Sequence, residues 1–392
     1  MSMQDLDPNE FKTQDPDAHE KVTTIKDLSA EMKEKLARIG FTMAEESGAG
    51  AYLQRDQTAS LCNTRSKGVE VLPIKQAMQK YDWLKDYSWK ALNPGTDKFT
   101  KDAASAPPEV IQGYFIRGLQ GKIERAAVQT CLYVESKSTK QVVHNIVIAE
   151  EGSEINIVTG CLSHGGVGRA LHEGITEFYL KKNAKITFTM VHEWGKEMEV
   201  RPRTAIILDE GASFINNYIA LTPVNSIQAN PIAYLNGDNS RVMFQTILYG
   251  RGNSRMDLGS RAILKGQNSS AEMISRIITT DKADIVARGL IVGEGSGTKG
   301  HLECRGLLLS NTSRIDSIPE LDAKNPDVNI THEAAVGKIS QDEINYLMAR
   351  GATEEEATSM IINGFLSFDL SQLPPEIAKD TKKLVDQTMK GL

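Results

Sequence analysis

A chain of 392 residues with 45 basic and 51 acidic side chains, and a formal charge of −6, is long enough to bury roughly three quarters of its unfolded surface without disulfides or metal. Its Lys and Arg residues are spread along the sequence, which argues against nucleic acid as the main partner. The four cysteines, Cys62, Cys131, Cys161 and Cys304, lie far apart with no CxxC pair; a disulfide framework or zinc knuckle is not expected, and reduced thiols in a cytoplasmic protein fit better.

Residues 1–20 are polar and acidic, with Pro8 and Pro16, and carry neither the basic nor the apolar region of a signal peptide. From Ile25 the apolar positions Leu28, Met32, Leu36 and Ile39 follow three- and four-residue steps, which predicts a helical face ending at Gly40. A second helical candidate, Leu72 to Leu92, closes at Asn93-Pro94-Gly95. Residues 1–105 are therefore read as an N-terminal helical region.

Beyond about residue 110 short β-branched runs take over: Val142-Val143, Ile155 to Val158, Ile186 to Val191, Ala205 to Leu208, Val242 to Tyr249, Ile274 to Ile278 and Ile285 to Val292. Several alternate with a period of two, as in Ile186-Thr187-Phe188-Thr189-Met190. The turns between them share a Gly or Asn at positions 152, 183, 211, 237 and 266, giving steps of 31, 28, 26 and 29. Recurrent short strands with one Gly/Asn corner per unit predict a β-solenoid over residues 106–338, in which each coil buries its face by stacking on its neighbours. The longest uncharged run, Gly211 to Gly237, is broken by Asn216, Asn217, Pro223, Asn225 and Pro231, a density of polar groups and breakers that a membrane span would not tolerate.

Helical periodicity returns after Ser340. Ser340-Gln341-Asp342-Glu343 and Thr353-Glu354-Glu355-Glu356 read as capping boxes, and Pro374-Pro375 opens a third helix running through Met389. Residues 339–392 form a C-terminal helical domain on this reading.

The chemistry concentrates between Cys304 and Glu333. A soft thiolate at Cys304, an imidazole at His332 and a carboxylate at Glu333 suit iron and sulfide better than calcium or magnesium. Taken alone, Cys304 could equally be a small buried apolar residue, and His332 a hydrogen-bonded structural histidine. His332 lies 28 residues past Cys304, about one coil, so the two could occupy adjacent rungs. Cys161 and Cys304 are 143 residues apart, about five coils, or on the order of 24 Å along a solenoid axis. Gly293-Glu294-Gly295-Ser296-Gly297 lacks the strand–helix setting and third-glycine spacing of a dinucleotide site, and there is no GxxxxGK[ST]. Any ATP chemistry must then come from a partner.

His332-Glu333-Ala334, Arg350-Gly351 and Glu355-Glu356-Ala357, with Cys304 upstream and Val158-Thr159-Gly160-Cys161 followed by Leu171-His172, resemble the SufB/SufD scaffold family of the SUF iron–sulfur assembly machinery. The resemblance runs from about residue 140 to the C-terminus. It implies a right-handed parallel β-helix core, sulfur acceptance at Cys161, and cluster or iron ligation by Cys304, His332 and Glu333. SufB-like members carry the cysteine and SufD-like members the histidine; this chain carries both, which predicts a homodimer with ligands near its twofold axis. The resemblance further implies a non-catalytic scaffold for iron–sulfur cluster assembly. A SufC-like ABC ATPase would dock on 339–392, a cysteine desulfurase or other sulfur donor would supply sulfur, and apo iron–sulfur proteins would receive the cluster. It leaves flavin use open. The alternative within the family is a SufD-like partner that holds no cluster itself.

Overall fold

A computed structural model describes residues 6–39, 41, 48–107 and 110–366. The chain is mainly β, 50% strand and 15% helix, and forms a β-solenoid of about 8 turns flanked by a few helices. Each coil gives one strand to the first of two sheets: Ile123–Val134, Glu154–Ser163, Lys185–Glu193, Ser213–Ala220, Arg241–Gly250, Ser270–Thr279, Lys299–Leu308 and Asn329–Lys338, here called coils 1 to 8. Successive members pair in parallel. The facing sheet receives Thr139–Ala149, Ala170–Leu180, two broken strands, Arg255–Leu264, Asp284–Gly293 and Arg314–Ala323. The breaks fall at Pro202, between Met198–Val200 and Arg203–Leu208, and at Pro231, between Ser226–Ala229 and Ile232–Leu235; a proline cannot donate to the ladder.

Strand alternation separates an inner face from an outer one. In Arg255–Leu264 every second residue is buried, and its inward Met256, Leu258, Ala262 and Leu264 join Ile157, Phe178, Phe188, Phe214 and Phe244 in one interior cluster. Outside, the helix α1 (Ala30–Arg38), capped by the Ser29 side chain, lays Met32 and Leu36 on the first sheet beside Leu162, Val191 and Ile219. The helix α2 (Ile74–Lys80) and the loop through Ala91-Leu92 cover the other sheet beside Ile146, Ile175 and Ala205.

The predicted corners are correct in kind and displaced in place. At these corners the left-handed residues are Gly121, Gly152, Asn183, Gly211, Asn239, Asn268 and Gly297, all at φ of 55 to 69°. So 239 and 268, not 237 and 266, turn the chain in the later coils. Gly237 and Gly266 serve another need: a Cβ on Gly237 would lie 1.9 Å from the Glu210 backbone nitrogen, and one on Gly266 would lie 2.0 Å from the Gly237 carbonyl oxygen. Coils stack too closely there for a side chain.

The N-terminal region is not purely helical. Gly50–Arg55 and Thr58–Thr64 form an antiparallel hairpin whose first strand pairs in parallel with coil 1 and closes that end of the solenoid. Asp56, at φ 46°, makes the tight turn and accepts the Glu135 and Ser136 N–H groups. A two-residue turn with buried Tyr52 and Leu53 leaves too short a pattern to register as strand. Val69–Pro73 is also a strand, so the expected helix at 72 begins only at Ile74.

At the far end α4 (Gln341–Met348) and α5 (Glu354–Leu366) follow coil 8. The Thr353–Glu356 capping box forms, with Thr353 N–H donating to the Glu356 carboxylate and Glu356 N–H to the Thr353 hydroxyl. Ser340 makes no side-chain cap bond; its carbonyl alone accepts the Glu343 N–H. The helix expected from Pro374 lies outside the described residues. Among these, no helix is long and apolar enough to cross a membrane.

Candidate functional site

Cys161, near the end of coil 2, points into the solenoid and is 1% exposed within the interior cluster. The next residue back, Gly160, faces outward and is packed so tightly under Ile39 that a Cβ would lie 1.8 Å from it. Burial pushes the Cys161 thiol well above its ordinary range. Directly across the parallel rung stands His192 of coil 3, and Tyr218 of coil 4 faces the same interior. Trp194 donates its indole N–H to His192 Nδ1 over 2.7 Å and stacks on His172, ring centroids 5.0 Å apart. His172 Nδ1 in turn meets Gln141 Oε1 at 2.8 Å, while the Gln141 amide nitrogen donates to the Asp56 and Tyr133 carbonyls. Burial pushes both His172 and His192 down to about 3, so both imidazoles are neutral at physiological pH.

His164, three residues past Cys161, turns outward instead. It lies 3.1 Å from Lys35 Nζ of α1 and 3.3 Å from the Tyr133 hydroxyl.

Cys304 of coil 7 also points inward and is 2% exposed. Burial pushes its thiol up, and a hydrogen bond with Ser317 from the facing sheet partly offsets this. His332 of coil 8 pairs with the inward Leu302, which makes it the diagonal neighbour of Cys304 on the same face. Glu333 pairs with Glu303 and so points to the opposite side. There it lies 3.4 Å from Arg305 in a surface ladder with Arg276 and Glu303. The expected ligand trio therefore does not converge within one chain, because adjacent strand residues face opposite sides. Among the described residues no three His, Cys, Asp or Glu side chains are grouped to hold a metal ion.

The two inward cysteines share one interior. Cys161 pairs with His192, then in succession Ala220, Leu248, Ile277 and Gly306, the last two residues past Cys304. Five rungs of about 4.8 Å separate them, on the order of 24 Å. Cys304's own column, followed back rung by rung, is Ser275, Thr246, Tyr218, Met190, Thr159 and Thr130. Hydroxyls and a thioether thus line the inner wall over the whole distance.

Sequence spacing located both cysteines and the rung relation to His332. It missed His192 and Tyr218 as neighbours of Cys161, although the 31-residue step from 161 to 192 equals one coil.

The chain is thus a parallel β-solenoid with two buried interior thiols and hydroxyl-lined inner walls. The family model for the SUF system FeS cluster assembly, SufBD core domain, matches residues 132–365, and the chain belongs to the SufBD family. It is 47% identical over 390 residues to an iron–sulfur cluster assembly SufBD family protein of Methanothermobacter thermautotrophicus, covering 99% of this chain and 95% of the relative. A SufBD family protein of Archaeoglobus fulgidus is 48% identical over 360 residues, 92% of this chain and 96% of its own. The iron–sulfur cluster assembly protein SufB of Bacillus subtilis is 25% identical over 374 residues, 93% and 79% of the two chains.

Proposed function

We propose that this chain is a non-catalytic scaffold on which iron and sulfide are assembled into a cluster that is then passed to apo iron–sulfur proteins. Cys161 accepts sulfur from a cysteine desulfurase or other donor, and Cys304 and His332 hold the nascent cluster. The observation that carries this reading is the placement of Cys304 and His332 as inward diagonal neighbours where the solenoid is open, on the same interior as Cys161. Thiolate with imidazole is a donor set suited to iron and sulfide.

One chain supplies two inward donors and leaves Glu333 outside, so the scaffold works as a homodimer in which the facing copy completes the ligand set. Support comes from the end strands Arg314–Ala323 and Asn329–Lys338, each paired on one side only among the described residues, with Ile318, Leu321 and Val336 37, 39 and 42% exposed. A SufC-like ATPase docks on 339–392, where Tyr346, Met348 and Met360 stand exposed and provide apolar anchors for helix-in-groove binding. In this reading the protein works in the cytoplasm.

Mixed dimers test the ligand sharing. Heterodimers of a native subunit with a subunit carrying both Cys304→Ala and His332→Ala should hold no cluster, because the native copy lacks the facing donors. A cluster retained on the native subunit would place ligation within single chains. The second reading, a SufD-like partner without a cluster, draws on the missing third ligand and predicts unchanged assembly in Cys304→Ala.

A further inference from the structure

We propose that His192 and Tyr218 form a two-donor pocket that holds anionic sulfur carried by Cys161, as its perthiolate. The inference deepens the sulfur-accepting reading of Cys161 and rests on it.

The tautomer of His192 follows from Trp194. An indole N–H can only donate, so the His192 Nδ1 it reaches at 2.7 Å is unprotonated, and the neutral ring carries its proton on Nε2. That Nε2–H is buried and has no hydrogen-bond partner in the protein among the described residues. The Tyr218 hydroxyl is also buried and without a partner there. The two rings lie 4.5 Å apart, centroid to centroid, His192 4% and Tyr218 8% exposed.

His192 faces Cys161 across one rung, and Tyr218 is near enough that negative charge on the Cys161 sulfur raises its pKa further. A charge there therefore keeps the phenol protonated as a donor.

Buried donors without an acceptor cost free energy, and a charged acceptor offsets that cost with strong hydrogen bonds. Other nearby groups are poorly suited to the role. His172 spends its Nδ1–H on Gln141, and the hydroxyls of Thr130 and Thr159 bond each other at 2.6 Å.

The step that fills the pocket is a sulfur exchange with a persulfide, R–S–S–H. Cys161–S–H plus R–S–S–H gives Cys161–S–S–H plus R–S–H. The donor's S–S bond breaks, one S–S bond forms at Cys161, and the Cys161 thiol proton leaves on R–S, with no net oxidation. Loss of the terminal S–H proton to solvent then gives the perthiolate that the two donors hold.

The test loads the full chain, in a Cys304→Ser background, with sodium tetrasulfide under anaerobic conditions. Peptide mass spectrometry reports occupancy of Cys161, and the perthiolate absorption band is titrated against pH. Relative to the native pair, His192→Phe with Tyr218→Phe should raise the titration midpoint by about one pH unit or more, a tenfold loss in ionisation. His192→Gln, whose amide N–H can donate, should restore most of that shift. An unchanged midpoint in the folded double variant would overturn the pocket, and so would a Gln variant no better than Phe. Absence of any sulfur at Cys161 with both donors intact would instead overturn the sulfur-accepting reading, and the pocket with it.

Discussion

Gly237 occupies a point where two coils touch through their backbones, since its missing Cβ would sit 1.9 Å from Glu210 N and 2.2 Å from the Asp209 carbonyl carbon. Gly237→Ala should cost about 1 to 3 kcal/mol by overpacking, measured by urea unfolding. Gly121, at φ 66° with nothing near its would-be Cβ, should lose only about 1 kcal/mol as alanine, from backbone strain. Equal losses at both positions would contradict the stacking account.

A second residue carries a pH signature. Burial, and then the neighbouring Asp102 charge, push the Glu173 carboxyl up to about 9. In the unfolded chain it ionises near about 4.3. Below that value both states hold the proton; above it the unfolded chain gives the proton up while the folded one keeps it, so stability declines as pH rises toward about 9. Glu173→Gln removes this loss. Its gain in thermal midpoint over the native chain should be larger at about pH 8 than at about pH 5, and a gain independent of pH would contradict the buried protonated carboxyl.

At this scale the sequence exposed what spacing encodes. Cys161, Cys304 and His332 fall at coil-length intervals, and the two-residue strand period already separates His332 from Glu333 once a strand is drawn through them. The donor character of His192 was not legible, because it depends on Trp194 folding back onto the ring.

The elements most informative for assembly are the two end strands. Arg314–Ala323 and Asn329–Lys338 each present ten residues of parallel ladder with one unpaired edge among the described residues. Such edges invite pairing with another chain unless covered. The hairpin Gly50–Thr64 pairs with coil 1 at the opposite end, whereas the strands at the His332 end meet no such addition among the described residues. Ile318→Asp with Val336→Asp should convert the proposed homodimer to monomers in sedimentation velocity without loss of the solenoid's circular dichroism; a persistent dimer would place the interface elsewhere. The solenoid elements were legible because each coil repeats a β-branched run and a turn. The N-terminal strands were not, since Gly50–Arg55 and Val69–Pro73 belong to no repeat and gain their strand character from coil 1 and from Tyr114–Gly118.

On the scale of the molecule, the solenoid brings two distant thiols into one interior, the second of them beside the end strand that is unpaired on one side among the described residues. The N-terminal hairpin pairs with coil 1 at the Cys161 end, while at the other end Val336 of coil 8 and Leu321 of Arg314–Ala323 are exposed. The corner residues that set this stack are each Gly or Asn because both tolerate left-handed backbone. The central claim is that Cys304 at the open end holds the nascent cluster. The most direct measurement is anaerobic reconstitution of the purified chain with the proposed SufC-like ATPase, following visible absorption and iron and sulfide content for the native chain beside Cys304→Ala. The account predicts a cluster in the native protein and its loss in the variant; equal iron and sulfide in both would contradict it.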